Sequence, residues 1–251
     1  MTKRSRSLHR RPRRAGSRTG QAQARAAAVS KGSGARVLPS DTMLESIETE
    51  VKTRIAKRDR LSEMARTLRR SSQDFMRRLH AEMSGAQPMP AQEKRKENAH
   101  HTALKVLASN LVRELERGGW REEEVAEAAL QEWVEASLLL AVIEARPFPF
   151  PADLGVHAEA YLLGLADVVG ELRRLAITAL GRGDVDRAKG LLEDMDKLSG
   201  MLMRFDFPRS VLSMKPKQDM ARSLVERTRG DVEVARFLNT FAPRQRKRSK
   251  G

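Results

Sequence analysis

Wherever apolar residues recur in this chain, they recur at helical spacing. Leu44, Ile47, Val51 and Ile55 form one stripe, and Leu61, Met64, Leu68, Phe75 and Leu79 form a second. The stretch carrying both has no Pro or Gly before Ser84, and Thr42 to Glu45 has capping-box spacing, which predicts a helix starting there. Such a helix is long for a globular protein and implies one that extends across a bundle or into a subunit interface. After a break at 85–90, Leu104, Leu107, Leu111 and Leu115 predict a second helix over 93–117, ended by Gly118 and Gly119. A third is predicted over 122–143, followed by a stiff Pro-rich connection, RPFPFPADLGV, at 146–156.

The stretch 161–184 reads as one helix closed by a glycine turn, GRGD, which supplies a C-cap and then an N-cap at Asp184. Leu162, Leu163, Leu165, Val168, Val169, Leu172, Leu175, Ile177 and Leu180 make it apolar on nearly every side, the mark of a helix buried in a bundle. The next helix runs to about residue 203, with Val185, Leu191, Leu192, Met195, Leu198 and Leu202 inward. Pro208 breaks it, and two last helices are predicted over 210–229 and 231–241. No stretch alternates with period two between hairpin turns, so no sheet is predicted. The expected fold is all-α: a single-domain antiparallel bundle of about seven helices over 39–242.

Charge adds two tails to that picture. The net charge is +15, but residues 1–36 hold eleven Lys or Arg and no acid, and RQRKRSKG at the end holds five more. The body between them is close to neutral. Residues 1–38 and 243–251 therefore read as disordered basic tails. Polycationic tails condense on polyanions with steep salt dependence, so nucleic acid is the favoured partner, with an anionic membrane surface or a purely solubilising role as alternatives. Arg10, Arg11, Arg13 and Arg14 are the tail's candidate contacts. Arg69, Arg70, Arg77 and Arg78 on the first helix could line a further basic surface, or simply form a solvated face. Absence of cysteine excludes disulfides, thiolate zinc sites and cysteine nucleophiles, and suits an intracellular, cytoplasmic protein. Aromatics at 4% disfavour sheets that stack bases on aromatic rings. No apolar run is long enough to span a membrane, and no secretory signal is visible.

The candidate chemistry is carboxylate chemistry. There is no phosphate loop, nucleophile elbow or HExxH motif. His100 and His101 are adjacent, point about 100° apart, and cannot form a facing metal pair, so they are expected to be solvated. Two acid pairs remain on apolar helices: Glu132 with Glu135, three apart, and Asp167 with Glu171, four apart. Carboxylates on buried helices are costly unless they meet a cation. If the two helices face each other, four acids crowd one spot, and hard oxygen ligands suit Mg²⁺ or Mn²⁺. The alternative is an ion-pair cluster with Arg173 and Arg174 on the same helix. Metal at such a cluster could bridge it to a phosphodiester, which fits a protein whose tails attract phosphate.

YLLGLADVVGELRR with its TALGRGD turn resembles the signature helix of the translin superfamily, and ALQEWVEA resembles the preceding helix of its translin-associated factor X branch. The resemblance is strongest over 130–203. It implies an all-α bundle that assembles into a hollow, usually octameric shell, here a homo-oligomer of the archaeal type. It implies binding of single-stranded RNA, with single-stranded DNA as a second candidate, and Mg²⁺-dependent endoribonuclease activity. The branch's catalytic and metal-binding acids match Glu132, Glu135, Asp167 and Glu171. A binder without turnover, or a structural oligomer whose acids pair with arginines, are the competing expectations. The basic tails are not part of the family motif.

Overall fold

The computed structural model describes residues 38–84, 91–118 and 123–241. The proposed tails, the break at 85–90 and the four tail arginines lie outside these residues. All seven elements among the described residues are helices: α1 (Asp41–Ser84), α2 (Ala91–Gly118), α3 (Glu123–Ile143), α4 (Pro151–Leu154), α5 (Ala158–Gly181), α6 (Val185–Leu202) and α7 (Lys215–Phe241). The chain divides into two units, Met1–Glu48 and Thr49–Gly251. In the first, the described residues are 38–48, the start of α1, where the Met43 N–H lies 3.3 Å from Ser40 Oγ. Ser40, not Thr42, thus caps this helix; a hydroxyl just ahead of the first turn accepts from its unpaired N–H groups.

In the second unit α5 is the centre, packed against α3, α6 and α7, while α2 lies on α3 and α4. The apolar faces predicted from spacing supply the core. Leu61, Leu68, Phe75 and Leu79 of α1, Leu104 and Leu111 of α2, and Leu191, Leu192, Met195, Leu198 and Leu202 of α6 are buried. The first stripe of α1 is not: Leu44, Ile47, Val51 and Ile55 are all about half exposed. Val234, Phe237 and Leu238 near the end of α7 are likewise exposed.

Helices α3 and α5 approach closely because Gly164 stands where they cross. A Cβ there would lie 2.7 Å from Val134 Cβ and 2.8 Å from the Gln131 carbonyl oxygen, closer than real contacts allow. The Pro-rich connection is tied down as expected of a stiff segment. Trp133 Nε1 donates to the Leu154 carbonyl at 3.2 Å, and Tyr161 OH donates to the Pro149 carbonyl at 2.8 Å. The GRGD turn also forms as read: Gly183 takes φ +77°, a left-handed value that favours glycine, and Asp184 Oδ1 accepts from Arg187 N at 3.1 Å.

The C-terminal part departs from expectation. One helix, α7, replaces the predicted two, running through Gly230 without a break. A lone glycine costs a helix only about 1 kcal/mol, and Val225, Thr228 and Val232, buried on either side of it, hold both segments to the same core. Residues 210–214 are turn and extended chain, so the helix starts at Lys215, five residues after the predicted start. No helix among the described residues is long and apolar enough to cross a membrane.

Candidate functional site

The four acids singled out by spacing converge. Glu135 sits on the face of α3 that meets α5, largely withdrawn from solvent, with Asp167, Glu171 and Glu132 close enough to act on its charge. Its carboxyl is pushed up from 4.5 to about 8, first by burial and then by Asp167, Glu171 and Glu132 in that order, with Lys217 alone opposing. Burial disfavours the charged form, and like charges add to the effect. Glu135 is therefore mostly protonated at neutral pH. The close α3–α5 approach at Gly164 produces this arrangement: Gly164 lies one turn before Asp167, and Gln131 one turn before Glu135.

The other three acids each have cationic or amide partners. Glu132 Oε1 accepts from Arg69 Nε at 3.3 Å and from Gln73 Nε2 at 3.1 Å, both from α1. Asp167 Oδ1 accepts from Lys217 Nζ of α7 at 2.6 Å, while Gln131 Nε2 of α3 donates to its Oδ2. Glu171 Oε2 is in contact with Nε2 of buried His80, and Arg174 Nη1 lies 3.9 Å away. Two further helices, α1 and α7, thus bring partners to the two helices of acids. Of the expected arginine partners only Arg174 is near; Arg173 turns to α7, where Nη1 donates to Thr228 Oγ1 at 2.8 Å and pairs with Asp231 at 2.9 Å. Among the described residues no three His, Asp or Glu side chains form a ready-made metal cage.

The arginines of α1 divide in role. Arg69, Arg70, Arg77 and Arg78 are all exposed. Arg69 reaches Glu132, Arg70 pairs with Glu63 at 3.6 Å, and Arg77 pairs with Asp74. Arg78 bears on His100, whose pKa is lowered first by burial and then by that guanidinium.

The adjacent histidines are half-buried rather than fully solvated. They lie against core rings: His101 packs on Trp133 at 4.9 Å between ring centres, and His100 meets Phe75 edge-on at 5.4 Å. Ser137 donates to the Trp133 carbonyl at 2.9 Å, so its oxygen accepts from His101 Nε2 at 3.3 Å. Burial, then Arg146, lower His101 from 6.5 to about 4. Their sequence context, a polar helix start, hid this, because ring packing depends on which helix lies opposite.

Sequence reasoning also missed His80, Gln73, Gln131 and Lys217. Gln131 had a signal, its spacing of four from Glu135 on the same helix face. The others are brought by α1 and α7 from 91, 59 and 50 positions away, and no local pattern marks them.

Residues 56–229 match the translin family. The chain belongs to that family. This translin-family chain is similar to AfC3PO as solved in a complex with duplex RNA: 29% identity, TM-score 0.67, covering 79% of this chain and 98% of that one. The AfC3PO crystal structure gives 30% identity and TM-score 0.64, over 78% of this chain and 97% of that one. Apo-NeC3PO shares the fold, with 19% identity, TM-score 0.66, and coverage of 80% and 100%. An uncharacterized protein of Methanocaldococcus jannaschii is 36% identical over 103 residues, which are 41% of this chain and 46% of that protein. The match thus spans less than half the length of that curated relative. All four acids and the Gly164 crossing fall inside the family match.

Proposed function

We propose that this translin-family protein is a metal-dependent endoribonuclease whose site is Glu132, Glu135, Asp167 and Glu171. The observation that carries the reading is the convergence of four carboxyls on Glu135, whose own carboxyl is held near 8 by burial and its acidic neighbours. A purely structural core has no use for such a group, because an apolar residue there would avoid the desolvation cost. The donor set is all oxygen, which fits Mg²⁺ or Mn²⁺. Bound there, the ion would polarise a phosphodiester and lower the pKa of a water.

The chain's own residues set the terms for that chemistry. The four acids would hold the ion. At neutral pH Glu135 carries a proton that must leave when a cation is taken up, so metal binding strengthens as pH rises towards 8 and levels off above it. Arg69 and Arg174, exposed at the rim, offer positive charge to an RNA backbone once turned away from Glu132 and Glu171. That one relative is solved with duplex RNA supports RNA as the polyanion; single-stranded RNA is the substrate form proposed for cleavage, with single-stranded DNA as a further ligand. The exposed apolar faces of α1 and α7 fit a homo-oligomer, of eight subunits by family likeness.

A second reading is a translin-type binder that does not cut. It draws on the side chains already seated on these acids: Arg69 on Glu132, Lys217 on Asp167 and His80 on Glu171. An RNA digest decides between them. The protein should cut single-stranded RNA with Mg²⁺ or Mn²⁺, stop with chelator, and lose cutting on Glu135→Ala. Undegraded but bound RNA in Mn²⁺ would establish the binder, and cutting by Glu135→Ala would overturn the site.

A further inference from the structure

Lys217 enters the acid site from α7, and its position is built rather than incidental. The next residue, Gln218, is 7% exposed, and its Nε2 donates to the carbonyls of Leu202 and Phe205 at 2.9 and 2.7 Å. That pins the first turn of α7 to the end of α6. Three turns further on, Arg173 of α5 holds α7 through Thr228 and Asp231. Lys217 adjoins the first of these anchors on the helix they hold, so its backbone has little freedom, and its half-buried ammonium lies 2.6 Å from Asp167 Oδ1. The other oxygen of Asp167 is engaged by Gln131. Asp167 thus has no oxygen clear of a donor while Lys217 stays in place.

We infer that Lys217 is a positioning residue of the site: a tethered ammonium that holds Asp167 in the metal-free protein and is exchanged for the divalent ion on loading. This rests on the metal reading proposed above. The physical grounds are simple. A divalent ion on Asp167 would stand beside the Lys217 ammonium, where like charges repel strongly, and a half-buried carboxylate without any cation is costly. Lys suits the task because its flexible stem lets the charge swing out towards water, while the fixed backbone keeps it beside the site. The exchange gives the acids a counter-charge in both states.

The test reads Lys217 directly in the full-length protein. Its amine is labelled with an acylating reagent and quantified by mass spectrometry, with and without Mn²⁺, while Mn²⁺ binding is followed by calorimetry. Labelling at Lys217 should rise severalfold on Mn²⁺ addition, and should not rise in Glu135→Gln. Lys217→Met should bind Mn²⁺ about fivefold more tightly, equivalent to about 1 kcal/mol, and Lys217→Arg should restore wild-type affinity. Wild-type Mn²⁺ binding with unchanged labelling would overturn the exchange and leave the metal site standing. Absence of Mn²⁺ binding in the wild type would overturn the metal reading itself, and this inference with it.

Discussion

Replacing Glu135 by Gln should make the metal-free protein more stable, and the gain should depend on pH. The native carboxyl titrates near 8 against an ordinary 4.5. Between those values the folded chain binds a proton that the unfolded chain has lost, so this group's contribution weakens stability as pH rises from 4.5 through 8. At about 1.4 kcal/mol per pH unit, the stretch from 4.5 to pH 7 amounts to about 3 kcal/mol. Residual solvent access and relaxation of the neighbouring acids reduce this to about 1–2 kcal/mol. Gln has nearly the same shape, does not titrate, and offers an N–H₂ to the surrounding carboxylates. Denaturant unfolding in chelator, at equal protein concentration, should show Glu135→Gln close to wild type near pH 5 and about 1–2 kcal/mol more stable at pH 7 to 8. Taking the difference between the two proteins removes every other titrating group they share. Mn²⁺ should then stabilise the wild type and not the variant. A stability advantage over wild type no larger at pH 8 than at pH 5 would refute the claim that burial and like charge strain this carboxyl.

Three other changes test separate parts of the structure. Gly164→Ala should destabilise by about 1–3 kcal/mol in a melt and lower metal affinity, because its Cβ would press on Val134 and the Gln131 carbonyl at the α3–α5 crossing. His101, lowered to about 4 from 6.5, is neutral in the fold, so its contribution is complete above 6.5 and lost as pH falls through 4; unfolding of His101→Phe from pH 7 to pH 5 should show a shallower loss than wild type. Gly230→Ala should raise stability by about 0.5–1 kcal/mol, because the site is helical and nothing lies within 4 Å of the added methyl.

Much of this protein is local and could be read from its residues alone. Helix faces follow from side-chain period, which is why the spacing predicts Leu68, Phe75, Leu104, Leu111 and Met195 inward and they lie buried. The spacing of Glu132 with Glu135 and Asp167 with Glu171 follows from the same period and needs no tertiary information. Where a local signal was weak, packing overruled it: Gly230 reads as a break, yet α7 continues because both its halves rest on one core. What surrounds the acids was decided only by the fold. Arg69, His80 and Lys217 come to Glu132, Glu171 and Asp167 across 63, 91 and 50 positions of chain. A charge has no period, and its partner is whichever side chain the packing of distant helices sets beside it. The same holds for His100 and His101, whose burial depends on Phe75 and Trp133 of other helices. Sequence determined that four acids would sit on greasy helices; the tertiary structure decided that three would be paired and that Glu135 would hold the proton.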